Sequence, residues 1–87
     1  MEFEWDPAKR LANLAKHGLD FEDVLEFDWA NAAIQMDGRK DYGEVRFRAW
    51  GMFGGRMHSV AFTRKGRTLR IISFRKANST EVKRYGP

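Results

Sequence analysis

Apolar side chains recur at helical spacing near the start of this chain, and beyond Ala30 the repeat falls to every second residue. Ala8, Leu11, Ala12 and Ala15 make the first stripe, which Leu14 widens, so this face is expected to pack on the core. Lys9, Asn13, Lys16 and His17 take the polar side. Asp6 before Pro7 reads as an N-cap with proline at the first helical position, where a missing N–H costs nothing. Gly18 supplies a left-handed stop and Leu19 the apolar residue that often comes after one. Asp20 then caps a second predicted helix, "FEDVLEFDW", with Phe21, Val24, Leu25 and one of Phe27 or Trp29 turned inward. Two short helices about a glycine turn form an αα-hairpin. The leading "EFEW" fits a short strand.

In the second half, "NAAIQM" is a predicted strand and "DGRKDYG" a loop. "EVRFRAW" alternates, with Val45, Phe47 and Ala49 on one face and Glu44, Arg46, Arg48 and Trp50 on the other. Gly54-Gly55 marks a hairpin turn, "RMHSVAFT" the next strand, "RKGR" a second turn and "TLRIISFR" the last strand. That last strand is apolar on both faces, which suits a central, doubly covered position. "NSTEVKRY" closes the chain as a short helix. The expected fold is α+β: a twisted antiparallel sheet of about four strands, an N-terminal αα-hairpin and a short C-terminal helix, in one domain over residues 1–87.

Composition sharpens this picture. At 87 residues the chain can fold about one core, and 43% apolar residues with 14% aromatics are too rich for a disordered chain. Cysteine is absent, so disulfides and thiolate metal sites are excluded, and a reducing compartment fits. The first ten residues lack a signal-peptide pattern and no apolar run spans a bilayer, so a cytoplasmic location without membrane contact is expected. The net charge of +4 is unevenly spread. Residues 1–43 hold ten acids and five basic side chains; residues 44–87 hold eleven basic side chains and only Glu44 and Glu81. Either the halves neutralise each other on packing, or the second half meets a polyanion.

Several phrases in order, "FEWDPAKRLANLAKHGLDFEDVLEF", "YGEVRFRAWG" and "RIISFRKA", then Glu81 and Tyr85, resemble the BrnT family of toxins from type II toxin–antitoxin pairs. The resemblance covers nearly the whole chain. It departs from the family pattern at Phe74, at Thr63-Arg64-Lys65 and at Ser79-Thr80. It implies a RelE-like ribonuclease fold and an RNA substrate whose cleavage blocks translation. It also implies a BrnA-like ribbon-helix-helix antitoxin as partner, with operator DNA contacted only through that antitoxin.

Metal-free RNA cleavage needs a base for the 2′ proton, an acid for the leaving 5′-oxygen and cations for the phosphate charge. His17 and His58 are far apart in the chain and no cofactor or metal motif is present, so neither is expected. Arg75, at the end of the last strand, is the first candidate for holding the phosphate, since a guanidinium donates two parallel hydrogen bonds. Arg46, Arg48, Arg70 and Lys76 are candidates for tracking the RNA backbone, with Trp50 as a stacking platform and Tyr42, Phe53 and Trp5 as weaker ones. Arg70 and Arg75 fall on opposite faces unless the strand bends between them. Glu81 and Tyr85, four apart, share a helix face. Glu81 fits a base, and equally a capping box with Asn78. His17, beside Lys16 at a helix C-terminus, is expected to be protonated by the dipole and to suit a general acid; capping the helix is its structural alternative. Acid and base stay open among Lys16, His17, Glu81 and Tyr85. The competing functions are a non-catalytic basic binding module and a degenerate toxin acting only in a repressor complex.

Overall fold

A computed structural model describes residues 1–38 and 43–86; of the expected 37–43 loop, residues 39–42, and with them Tyr42, lie outside the described residues. The order is β1 (Glu2–Trp5), α1 (Pro7–His17), two 3-10 segments (Phe21–Glu26 and Trp29–Asn31), β2 (Ala33–Asp37), β3 (Arg46–Phe53), β4 (Arg56–Lys65), β5 (Thr68–Lys76) and α2 (Ser79–Tyr85). The strands form one sheet in the order β1-β5-β4-β3-β2. The α+β class holds, but the sheet has five strands and is mixed. β1 joins it parallel to β5, with Glu2 beside Thr68 and Trp5 beside Ile71. None of the helices among the described residues is long and apolar enough to cross a membrane.

The expected αα-hairpin is corrected too. Asp20 does act as a cap, accepting from the Glu22 amide, yet the residues after it form a 3-10 segment and not a second α-helix. Three residues per turn align Phe21, Val24 and Phe27, all buried, on one stripe. The same period turns Leu25 out to solvent. These side chains cover one sheet face and pack with Ala49, Val60, Phe62, Leu69, Ile71 and Phe74. The approach is tight at Gly51, where a Cβ would come within 2.8 Å of the Phe27 ring.

α1 starts and stops where the sequence says. Asp6 accepts from the Ala8 amide and Gly18 is left-handed at φ 70°. Its orientation is the reverse of the expected one. Leu11 (66% exposed), Leu14 (42%), Ala8, Ala12 and Ala15 face solvent, while Asn13 is buried at 6%. The cause lies in the sheet edge. β1 stops pairing at Ile71, so the next stretch of β5 has backbone groups without a strand partner on that side. α1 lies there, and the Asn13 carboxamide does what a neighbouring strand would do. Its Oδ1 accepts from the Phe74 amide at 3.0 Å, and its Nδ2 donates to the Phe74 carbonyl at 2.9 Å and the Leu19 carbonyl at 3.0 Å. Buried peptide groups need partners, and satisfying them outweighs burying two leucines. Arg10 fixes the same rotation with a two-pronged hydrogen bond to Asp20, whose carboxyl it holds at about 2.

Replacing Asn13 by alanine orphans both Phe74 backbone groups and should cost about 1–3 kcal/mol. For a domain of this size that lowers Tm by at least about 5 °C in calorimetry. Leu11→Gln, by contrast, should change stability by less than about 0.5 kcal/mol.

Candidate active site

The second sheet face owes its composition to one turn and one irregularity. Gly54 and Gly55, both at positive φ (59° and 79°), make a two-residue hairpin that sets Phe53 opposite Arg56, and so Trp50 opposite Ser59. Between β4 and β5 a bulge intervenes: Phe62 faces Ile71 but Ala61 faces Ser73, leaving Ile72 as the extra residue. Leu69 and Ile71 point to the core before the bulge and Phe74 after it. Arg75 therefore emerges opposite Ser59, on the face that carries Arg48 and Trp50. The bulge also puts Arg70 on that face, meeting the condition for the two arginines to share one. Arg70 nonetheless stands near β1, 3.9 Å from Glu4, and does not line the cleft.

α2 closes over this face. Asn78 Oδ1 accepts from the Glu81 amide (2.8 Å) and Glu81 Oε1 from the Asn78 amide (2.9 Å), so the capping box is real. The same carboxylate accepts from Arg75 Nη1 (2.7 Å) and Nη2 (3.0 Å) and from Trp50 Nε1 (2.7 Å). Burial alone would raise the Glu81 pKa, but the hydrogen bonds from Arg75, Asn78 and Trp50 and the charge of Arg75 outweigh it and hold the carboxyl at about 2. With four hydrogen bonds on two oxygens, its lone-pair positions are filled.

Arg75 is not saturated. Nη1 also donates to the Lys76 carbonyl at 3.1 Å, so three of the guanidinium's N–H groups are spent. The Nε–H and the second Nη2–H remain, and these two point in parallel along one edge of the planar group, a fork suited to two oxygens of a phosphate. Arg75 stands in the wall of a cleft of about 320 Å³ shared with Arg48, Trp50, Glu81, Arg84, Tyr85 and the β2 residues Gln35 and Asp37. Arg48 Nη1 donates to the buried Ser59 hydroxyl at 2.9 Å. The Tyr85 ring lies on Trp50 with centroids 3.9 Å apart and planes 13° off parallel, and its hydroxyl donates to Gln35 Oε1 at 3.2 Å.

The structure thus gathers Arg75, Glu81, Tyr85, Arg48 and Trp50. It does not bring Lys16, His17, Arg46 or Lys76 into the lining of that cleft. Arg46 lies 3.8 Å from Glu44, and Lys76 is exposed just past Arg75. Two expectations need correction. Trp50 is no open stacking platform, because Tyr85 covers it and only 8% of it is exposed. The helix terminus does not raise the His17 pKa: burial first, then the charges of Lys16 and Arg75, lower it. His58 is buried, its Nδ1 2.8 Å from the Arg56 carbonyl oxygen, against Phe53 and Phe74. Trp5 and Phe53 pack on the core.

Gln35, Ser59 and Arg84 join the site without having been singled out by sequence pattern. The Gly54-Gly55 register points to Ser59, but nothing local points to Gln35, fifty residues from Tyr85. No group of three His, Asp or Glu side chains suited to a metal ion occurs among the described residues. A second cleft, about 380 Å³, opens on the opposite sheet face among Trp29, Ile34, Phe47 and Phe62, with Arg64 and Arg67 also lining it. Its lining holds no Asp, Glu, His, Lys or Tyr side chain.

Comparison with known proteins bears on the Arg75 cleft. A family model described as "Ribonuclease toxin, BrnT, of type II toxin-antitoxin system" matches residues 5–81, a span that runs from the last residue of β1 through β5 and into α2 as far as Glu81. No curated protein matches the sequence.

Glu81→Gln removes the charge while keeping much of the shape. Because the folded pKa lies below the unfolded value, the carboxylate's contribution is fully present above about pH 4.3 and fades as pH falls towards 2. The stability gap between wild type and E81Q, measured by urea unfolding, should therefore be largest at neutral pH and shrink between about pH 4 and about pH 2.5.

Proposed function

The chain belongs to the BrnT family of ribonuclease toxins of type II toxin–antitoxin systems, and from that we propose that it cuts RNA in the cleft between β3, β5 and α2. The observation carrying this reading is the side-on fork of Arg75, left open while Glu81 and the Lys76 carbonyl hold the rest of the guanidinium still. A preorganised cation of this kind stabilises charge that develops on phosphorus without having to reorient.

In this scheme the scissile phosphate sits on the Arg75 fork. The ribose 2′-oxygen bonds to phosphorus, the bond to the 5′-oxygen breaks, and the products end in a 2′,3′-cyclic phosphate and a 5′-hydroxyl. Negative charge on the non-bridging oxygens is met by Arg75, with Arg48 and Arg84 behind it. Arg46, Arg70 and Lys76 lie outside the cleft and track the flanking phosphates. Glu81 is a positioning residue in this reading, since a carboxylate with a pKa of about 2 and every lone pair engaged is a poor proton acceptor. The Tyr85 hydroxyl, at the cleft and hydrogen-bonded to Gln35, donates the proton to the 5′-oxygen. The acceptor of the 2′ proton is open between His17 and Lys16, neither of which lines the cleft, and the lowered pKa of His17 favours it over Lys16 for that role. The chemistry proceeds without a metal. A BrnA-like ribbon-helix-helix antitoxin neutralises the protein in the cytoplasm, and operator DNA is bound only through that antitoxin.

With a synthetic RNA strand and excess chelator, the wild-type protein should yield cyclic-phosphate ends, and a strict need for added metal would contradict the scheme. Arg75→Ala should slow cleavage by at least ~10²-fold, the scale of losing one transition-state donor. Lysine at this position should not restore the rate, because an ammonium cannot offer the parallel fork. If His17 is the base, the rate rises with pH through a value below the ordinary ~6.5 of histidine and His17→Gln removes that limb. A rate that instead falls over this range would assign it the acid role. A protein that binds its antitoxin yet cuts no RNA under any of these conditions is a repressor subunit and no nuclease.

A further inference from the structure

The apolar stripe of α1 is left out of the hydrophobic core. The helix docks through Asn13 and Arg10, and its opposite side presents Leu11 and Leu14 to solvent, with Ala8, Ala12 and Ala15 around them. We propose that this stripe is the seat of an acidic amphipathic helix from the cognate antitoxin, an inference that rests on the family's toxin–antitoxin pairing and not on the cleavage chemistry.

Three features select that occupant. The stripe repeats at the spacing of a helix-packing ridge, two leucines three apart flanked by alanines. Small residues beside large ones let a second helix approach closely and lodge its own side chains between the leucines. The rim is positive: α1 contains no acid, Lys9 and Lys16 are exposed beside the stripe, and Arg10 is already engaged by Asp20 and Glu22. Carboxylates on the rim of the incoming helix match this, whereas a second copy of the chain would set its own lysines against these. Finally, the exposure is not a failure of packing. α1 is rotated by specific buried hydrogen bonds from Asn13, so the stripe is held outward by the fold.

The seat lies apart from the cleft. None of Leu11, Leu14 or Lys9 lines it, so variants there leave the catalytic machinery untouched. The position also gives the antitoxin a grip with a direct line to the site, since α1 ends in His17, close enough for the charge of Arg75 to be felt there. Binding by titration calorimetry between the purified chain and its antitoxin tests the assignment, with RNA cleavage by the free toxin measured in parallel. Replacing both leucines by glutamate (L11E/L14E) should weaken binding at least about 100-fold, and the milder pair Leu11→Ala with Leu14→Ala at least about tenfold, the scale of hot-spot truncations. Lys9→Glu should weaken it and make it less sensitive to salt. All these variants should keep the wild-type Tm and wild-type cleavage.

Antitoxin affinity within about twofold of wild type in both leucine pairs would falsify the proposal, since a buried anchor costs more than that. So would the absence of any antitoxin binding by the wild-type chain, or a wild-type homodimer that L11E/L14E splits into monomers, which would make a second copy the occupant. If the wild type cuts no RNA but the leucine pairs still lose the antitoxin, the seat stands and the nuclease reading fails instead.

Discussion

One carboxamide governs the geometry of this protein. Asn13 reaches from α1 to both backbone groups of Phe74 and to the Leu19 carbonyl, all by hydrogen bonds in or near the core. Its hold acts in three places. The edge of β5 that β1 leaves open beyond Ile71 is satisfied without another strand. Phe74 is fixed in its inward position just past the Ile72 bulge, which puts Arg75 on the cleft side. And α1 is locked with its apolar stripe facing away. Leaving leucines in water is the lesser penalty when the alternative is two unpaired peptide groups in a dry interior.

The cleft depends on a similar convergence at Glu81. A single carboxylate ends the N-terminal turn of α2, clamps the Arg75 guanidinium and takes the Trp50 indole N–H. Local helix capping and long-range site assembly are thereby one event: α2 cannot form its capping box in place without also orienting the arginine. The stack of Tyr85 on Trp50 secures the far end of the same short helix. A seven-residue helix is too short to hold its shape alone, and these tertiary contacts supply what its length does not.

Much of the fold is legible directly. The caps at Asp6, Asp20 and Asn78, the stops at Gly18 and Gly54-Gly55, the four strands after Ala30 and the closing helix are all where local chemistry puts them. These features depend on residues within three or four positions of one another. The elements that differ from expectation share the opposite property. "FEDVLEF" suits a period of 3.6 as well as the observed 3.0 of Phe21, Val24 and Phe27, because seven residues are too few to separate the two. The α1 stripe turns outward because a pattern reports which face is apolar, not which face has a partner. "EFEW" is too short to declare its direction or its place beside β5.

The candidate site divides in the same way. Alternation alone sets Arg48 and Trp50 on one face, the capping spacing puts Asn78 with Glu81, and the two-glycine turn fixes Trp50 against Ser59; each rests on short-range geometry that the residues themselves dictate. The placement of Arg75 beside them does not. By uninterrupted counting from the Gly66 turn, Phe74 would face Ser59 and Arg75 would enter the core. The bulge at Ile72 reverses this. It forms because burying Phe74 beside Val60 and satisfying its backbone through Asn13 is far better than burying a guanidinium, and that comparison exists only once helix, strand and core have come together.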